Sequence, residues 1–162
     1  MRYNQGARFY DRFYGKIQHA KMRDLVGMVD FKKDDLVLDA GCGTGICKEF
    51  IHSKIIGVDS SIEMLKIGRL KDVVLGRCES LPFKNCVFDK VICISVLENI
   101  KQKKKAILEM VRVLKYGGTI VVTWPNRFYF EVDEDIMKRF EDFNEIFLSV
   151  EDIGFIARKV SR

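Results

Sequence analysis

The chain has 162 residues, close to the size of one domain, and can bury roughly 70% of its unfolded surface, so a second domain of ordinary size has no room. Apolar residues make up 48% and charged residues 31%, with two prolines, the composition of an ordered globular protein rather than a disordered one. A net charge of +5 is too small for a nucleic-acid-binding tail, and no apolar run approaches the roughly 20 residues that span a bilayer.

The first ten residues carry Arg2, Asn4, Gln5 and Arg8 and lack the apolar block of a secretion signal, so cytoplasmic residence is expected. Aromatic and apolar side chains then recur at Phe9, Tyr10, Phe13, Tyr14 and Ile17, and again at Leu25, Val26 and Val29. That spacing predicts amphipathic helices with a break near Gly15. Leu36-Val37-Leu38 reads as a buried strand entering the turn Asp39-Ala40-Gly41-Cys42-Gly43-Thr44-Gly45, with a helix through Ile46 to Ile51 behind it. Ile55 to Asp59 is a second strand, and Ser60 with Glu63 forms a capping box that opens a helix through Met64, Leu65 and Ile67.

Further strands fit Val73 to Leu75 and Val91 to Ile94. The helical stripe Ile107, Met110, Val111 and Leu114 is expected to stop at Gly117-Gly118, and Thr119 to Thr123 makes a fifth strand. Asp133 caps a helix through Ile136 and Phe140. A last strand runs from Ile156 to Val160, and Glu145 to Leu148 is available as a further one. Five cysteines (Cys42, Cys47, Cys78, Cys86, Cys93) are an odd number without a C-x-x-C pair. They are read as reduced, mostly buried side chains rather than a disulfide framework or a metal site.

Apolar strands alternating with helices predict a doubly wound α/β fold, a three-layer α/β/α sandwich around a mostly parallel sheet of six or seven strands. In such sheets a ligand sits beyond the carboxyl ends of the strands at the switch in strand order, where the glycine turn and the acids Asp39 and Asp59 fall. Glycines at 41, 43 and 45 leave backbone N–H groups open to a ligand. A carboxylate ending the second strand can accept from both hydroxyls of a ribose, or can simply cap the helix that follows.

The segment Leu38 to Gly45 resembles the first motif of class I S-adenosylmethionine (SAM)-dependent methyltransferases, particularly the small-molecule branch with the ubiquinone and menaquinone biosynthesis enzymes (methyltransferase type 11). The resemblance continues through Val58-Asp59-Ser60-Ser61, Leu81-Pro82-Phe83, Val87 to Val91, and the helix Glu109 to Leu114 running into Lys115-Tyr116-Gly117-Gly118. These motifs cover residues 36 to 124, and Tyr10 to Tyr14 is similar to the family's opening helix.

The resemblance implies a Rossmann-like fold and SAM as cofactor, held by Asp39, Gly41, Cys42, Gly43, Thr44, Gly45, Asp59, Ser60, Met64, Cys78, Glu79, Ser80, Ile94 and Ser95. It implies one domain over residues 1 to 162, with residues 1 to 30 as N-terminal helices covering the cofactor. In relatives an acid follows the third strand to bind adenine. Arg77 stands there, so Glu79 or the backbone of Cys78 and Glu79 takes that part. Ile62 and Met64 are placed for the adenine ring or for the core.

Ser95-Val96-Leu97-Glu98-Asn99 occupies the segment that faces the acceptor in relatives, many of which have histidine where Asn99 stands, so no catalytic residue is assigned. Trp124-Pro125-Asn126-Arg127 either lines an acceptor pocket or packs as a corner, and Tyr3, Tyr10 and Tyr14 are candidates for a lid. The run Lys101 to Lys105 is a solvated face or an anion site, while His19 and His52 are isolated.

The implied activity is methyl transfer from SAM to a small-molecule acceptor, with no membrane or nucleic acid as partner. The alternatives are a SAM-binding partner subunit without activity and an NAD-dependent oxidoreductase. The oxidoreductase expects Gly-x-Gly-x-x-Gly, and Ile46 stands where its third glycine would fall. The short C-terminal end implies an acceptor pocket that is shallow, or is completed by the N-terminal helices, a second copy in a homodimer, or a partner subunit.

Overall fold

The computed structural model describes residues 3–161, with side chains from Tyr14 onward. Helix α1 (Tyr3–Met28) runs unbroken through Gly15, where a break is expected. One glycine costs a helix only about 1 kcal/mol relative to alanine, and buried Lys21, Leu25 and Val29 continue one face of the helix beyond it.

The strands are β1 (Leu36–Ala40), β2 (Lys54–Asp59), β3 (Val73–Leu75), β4 (Phe88–Ile94), β5 (Leu114–Pro125), β6 (Phe140–Leu148) and β7 (Asp152–Lys159). They form one seven-stranded sheet in the order β3-β2-β1-β4-β5-β7-β6, parallel except for β7, which runs antiparallel to both neighbours. Alternate residues of each strand face opposite sides of this sheet. Leu38, Ala40, Val91, Cys93, Ile120 and Val122 meet helices α3 (Lys103–Val113) and α4 (Glu134–Met137). Val37, Ile55, Ile92 and Val121 meet α1, with α2 (Ile62–Ile67) on the same side. Both faces are covered, which gives the expected sandwich.

Several local expectations are corrected. The helix expected from Ile46 to Ile51 is a short 3-10 segment, Ile46–Glu49. The cap of α2 is Ser61 rather than Ser60: its Oγ accepts from Met64 N at 3.3 Å, because Asp59 pulls the Ser61 backbone into the turn. Helix α3 ends at Val113, not at the Gly117-Gly118 pair, and buried Lys159 of β7 donates from Nζ to the carbonyls of Val111 and Leu114 at 2.7 Å each. The two glycines instead sit in a bulge of β5, where Gly117 takes φ 71. Helix α4 stops after one turn, and Phe140 opens β6 instead of closing the helix. The hairpin β6–β7 supplies the seventh strand.

Strand order reverses between β1 and β4, and the carboxyl ends of β1, β2, β4 and β5 gather beside that switch. Residues 76–87 connect β3 to β4 without a helix, and their first residues, Gly76 to Glu79, wall the crevice on that side. No helix among the described residues is long and apolar enough to cross a membrane.

Candidate active site

The glycine turn leaves β1 through three left-handed residues, Gly41 (φ 85), Gly43 (φ 52) and Gly45 (φ 71). A Cβ on Gly41 would lie 2.5 Å from both methyl carbons of Val96, so the turn packs tightly under the loop that follows β4. Asp59, ending β2, holds the turn from the side: its Oδ2 accepts from Gly43 N at 2.8 Å and its Oδ1 from Ser61 N at 2.8 Å. Each oxygen keeps a further lone pair.

Above this junction opens a chamber of about 400 Å³ whose wall includes Gly41, Gly43, Asp59, Ser60, Met64, Cys78, Glu79, Ile94 and Ser95. Of the two residues placed for an adenine ring, Met64 faces this chamber and Ile62 is exposed elsewhere. Arg77, standing where an acid is expected, also lines the wall, and it pairs with Glu79 at 3.0 Å. A side pocket of about 50 Å³ shares Gly41, Gly43 and Ile94 with the chamber and adds Asp39, Cys42, Thr44 and Gln18 of α1. Gly45 and Ser80 line neither space. Gly45 points its missing Cβ at Leu70, and Ser80 closes a turn by donating its N–H to Arg77 O.

Asp39 is buried at the end of β1. Burial raises its carboxyl to about 6, the Cys47 thiol opposes that by donating to it, and the neighbouring Asp59 charge adds to it. Among the described residues no cation lies within ion-pair reach of Asp39. A buried anion beside a bare turn and a ribose-competent carboxylate is a donor set that suits an adenosyl group carrying a cationic tail. Burial holds the thiols of Cys42, Cys47 and Cys78 well above their ordinary value, so they are unreactive wall.

A second chamber of about 340 Å³ abuts the first, with Ser95 and Asn99 common to both, and meets the side pocket at Gln18. Its wall adds Tyr14, Ile17, Lys21, Glu98, Pro125, Arg127 and Asp152. Between the chambers lies a buried network. Lys21 Nζ of α1 donates to Ser95 Oγ at 2.7 Å and to Asp152 Oδ1 of β7 at 2.9 Å. Ser95 Oγ donates to Asp152 Oδ2 at 2.6 Å, and Thr123 Oγ1 donates to the same oxygen at 3.0 Å. Ser95 itself is held at φ 54, an uncommon conformation for a residue with a side chain.

Lys21, Gln18 and Asp152 are site residues that the motifs miss. Lys21 carries a readable signal, since it is a charge in register with Leu25 and Val29 on the buried face of α1. Asp152 carries none, because its place follows from the β6–β7 register. Trp124 proves to be packing, with its ring edge-on to Phe130 at 5.3 Å, while its neighbours Pro125 and Arg127 line the second chamber. Tyr14 lines that chamber too, while the side chains of Tyr3 and Tyr10 lie outside the described residues. Two lysines of the run are engaged locally: Lys103 donates to Ile100 O, and Lys104 pairs with Asp133 and Asp135.

A family model described as a methyltransferase domain matches residues 38–122, just over half of the chain. An uncharacterized protein of Methanocaldococcus jannaschii is 38% identical over 128 residues, 76% of this chain and 50% of that protein. A demethylmenaquinone methyltransferase of Renibacterium salmoninarum is 37% identical over 106 residues, 61% of this chain and 44% of that one. The chain thus spans about half the length of the curated relatives it matches. Among solved structures, a SAM-dependent methyltransferase from Thermotoga maritima, described as a possible histamine N-methyltransferase, superposes with TM-score 0.79. It is 20% identical over 97% of this chain and 98% of that one, a likeness of fold. With the glycine turn, Asp59 and the strand order already in place, the match assigns this chain to the methyltransferase domain family, the class I SAM-dependent methyltransferases.

Proposed function

We propose that this chain transfers the methyl group of SAM to a small acceptor held in the second chamber. The observation that carries this reading is the 2.8 Å bond from Gly43 N to Asp59 Oδ2, at the edge of a chamber that shares Ser95 and Asn99 with its neighbour. In this reading Asp59 accepts from the ribose hydroxyls, and Met64, Cys78 and Glu79 enclose the adenine. The backbone of Gly41 and Gly43 carries the methionine portion, and Asp39 faces its cationic amine. Cys42, Thr44 and Gly45 support the turn from behind, Ser60 and Ser80 flank the rim, and Ile94 and Ser95 approach the methyl carbon.

Bound SAM supplies a methyl carbon already activated by a sulfonium, so the protein's task is chiefly to hold an acceptor in line with it and to exclude water. The lysine-serine-aspartate network serves that task by fixing the wall between the two chambers. The whole chain then acts as one domain with α1 beside the site, and its five free cysteines suit a reducing cytoplasm.

Calorimetric titration tests the donor. SAM and its demethylated product are expected to bind and NAD is not, and Asp59→Ala is expected to weaken SAM about tenfold or more while the far-ultraviolet dichroism stays native. Preference for NAD, or unchanged SAM affinity in the variant, would overturn the assignment. Transfer of a labelled methyl group to any acceptor separates an enzyme from a SAM-binding subunit.

A further inference from the structure

The second chamber holds one carboxylate whose hydrogen bonding is incomplete. Glu98 lines this space, and its Oε2 is buried with no hydrogen-bond partner among the described residues. The other polar groups of the wall are committed or unsuited to receive a proton. Both oxygens of Asp152 are taken by Lys21, Ser95 and Thr123, and the Ser95 hydroxyl already donates to Asp152. Lys21 is paired with Asp152, Arg127 is a cation, Asn99 and Gln18 carry amides, Tyr14 carries a phenol, and Glu151 is exposed at the rim.

A buried acceptor atom left unmatched costs about 1–3 kcal/mol, so an unmatched carboxylate oxygen facing a binding chamber calls for a donor from the ligand. Burial pushes the Glu98 carboxyl upward and the Asp152 charge adds to it, while a hydrogen bond from its own backbone N–H, Lys21 and Arg127 oppose. Ile17, Pro125, Val150 and the ring of Tyr14 form the apolar part of the wall, and the volume lies near the small end of ligand pockets.

We propose that the acceptor is a compact amine with an apolar body, and that Glu98 binds its N–H and receives its proton during transfer. This rests on the reading of the first chamber as the SAM site. The neutral amine nitrogen attacks with its lone pair. A carbon–nitrogen bond forms as the methyl–sulfur bond breaks with its electron pair to sulfur, and the proton lost from nitrogen passes to Glu98 Oε2 and then to solvent.

The test uses protein saturated with S-adenosylhomocysteine and titrated calorimetrically with benzylamine, benzyl alcohol or benzoate. Benzylamine is expected to bind best. Glu98→Gln should weaken it tenfold or more, weaken benzyl alcohol less than threefold, and leave S-adenosylhomocysteine within twofold. Glu98→Asp, which withdraws the carboxylate, should give an intermediate loss and stands in if the amide variant loses S-adenosylhomocysteine as well. Preference for benzoate, binding of none of the three, or benzylamine affinity unmoved in the variants would overturn the proposal while leaving the SAM site intact. Failure of the wild type to take S-adenosylhomocysteine would overturn both.

Discussion

Asp39 lines the side pocket as a buried carboxylate with no cation beside it among the described residues, and this makes it a reporter of its surroundings. Its carboxyl titrates near 3.8 in the unfolded chain and at about 6 in the fold, chiefly because burial disfavours the charge. Between about pH 4 and 6 the folded chain therefore keeps a proton that the unfolded chain has released, so stability falls as pH rises through that window and levels off above it. Urea denaturation across pH 4 to 7 is expected to register a loss on the order of 3 kcal/mol in the wild type and a flatter profile in Asp39→Asn. A wild-type profile as flat as the variant's would remove Asp39 as the source. At this scale the motifs were informative where chemistry and chain position coincide, as in the glycine turn and Asp59. They were silent on Asp152 and on the open oxygen of Glu98, because those roles depend on partners from other strands.

Among the elements, the hairpin β6–β7 is the least legible from sequence, since β6 alternates weakly and carries several charges. Strand β7 is legible in the sequence only from Ile156, yet Gly154 before that run decides the pairing. A Cβ on Gly154 would stand 2.0 Å from Val122 O and 2.8 Å from Thr123 Cα, both backbone atoms of β5. Gly154→Ala therefore forces the two strands apart, and a loss above about 3 kcal/mol is expected in urea denaturation, or recovery only as aggregate. A loss below about 1 kcal/mol would mean that β7 shifts without cost. The parallel strands β1, β2 and β4 were easier to read, because burial on both faces makes them continuous apolar runs between turn residues. Helices α3 and α4 end away from their sequence signals for a common reason. A tertiary partner, Lys159 for one and the opening of β6 for the other, replaced the local stop signal.

At the scale of the whole molecule, Lys21 and Asp152 join the first helix to the last strand across 131 positions, with side chains only 6% and 1% exposed. Breaking a buried pair strands the remaining charge, so Lys21→Met should cost about 3–5 kcal/mol in urea denaturation. Asp152→Asn introduced into that variant should restore part of the loss. A cost under about 1 kcal/mol for Lys21→Met would show that the pair does not fasten α1 to the sheet. The strand order and the covering of both faces were foreseeable from the alternation of strands and helices, whereas this fastening was not.

The same pair means that the stretch by which the family is recognised, residues 38–122, is shorter than the stretch that makes a finished wall. Excised alone, that stretch would keep the glycine turn and Asp59 but lose both residues that clamp the Ser95 hydroxyl. It would also present β5 as a bare edge, open to pairing with neighbouring copies. Kinship and self-sufficiency are thus carried by different lengths of this polypeptide, and a ribosome must release the chain through β7 before the partition between the two chambers can close.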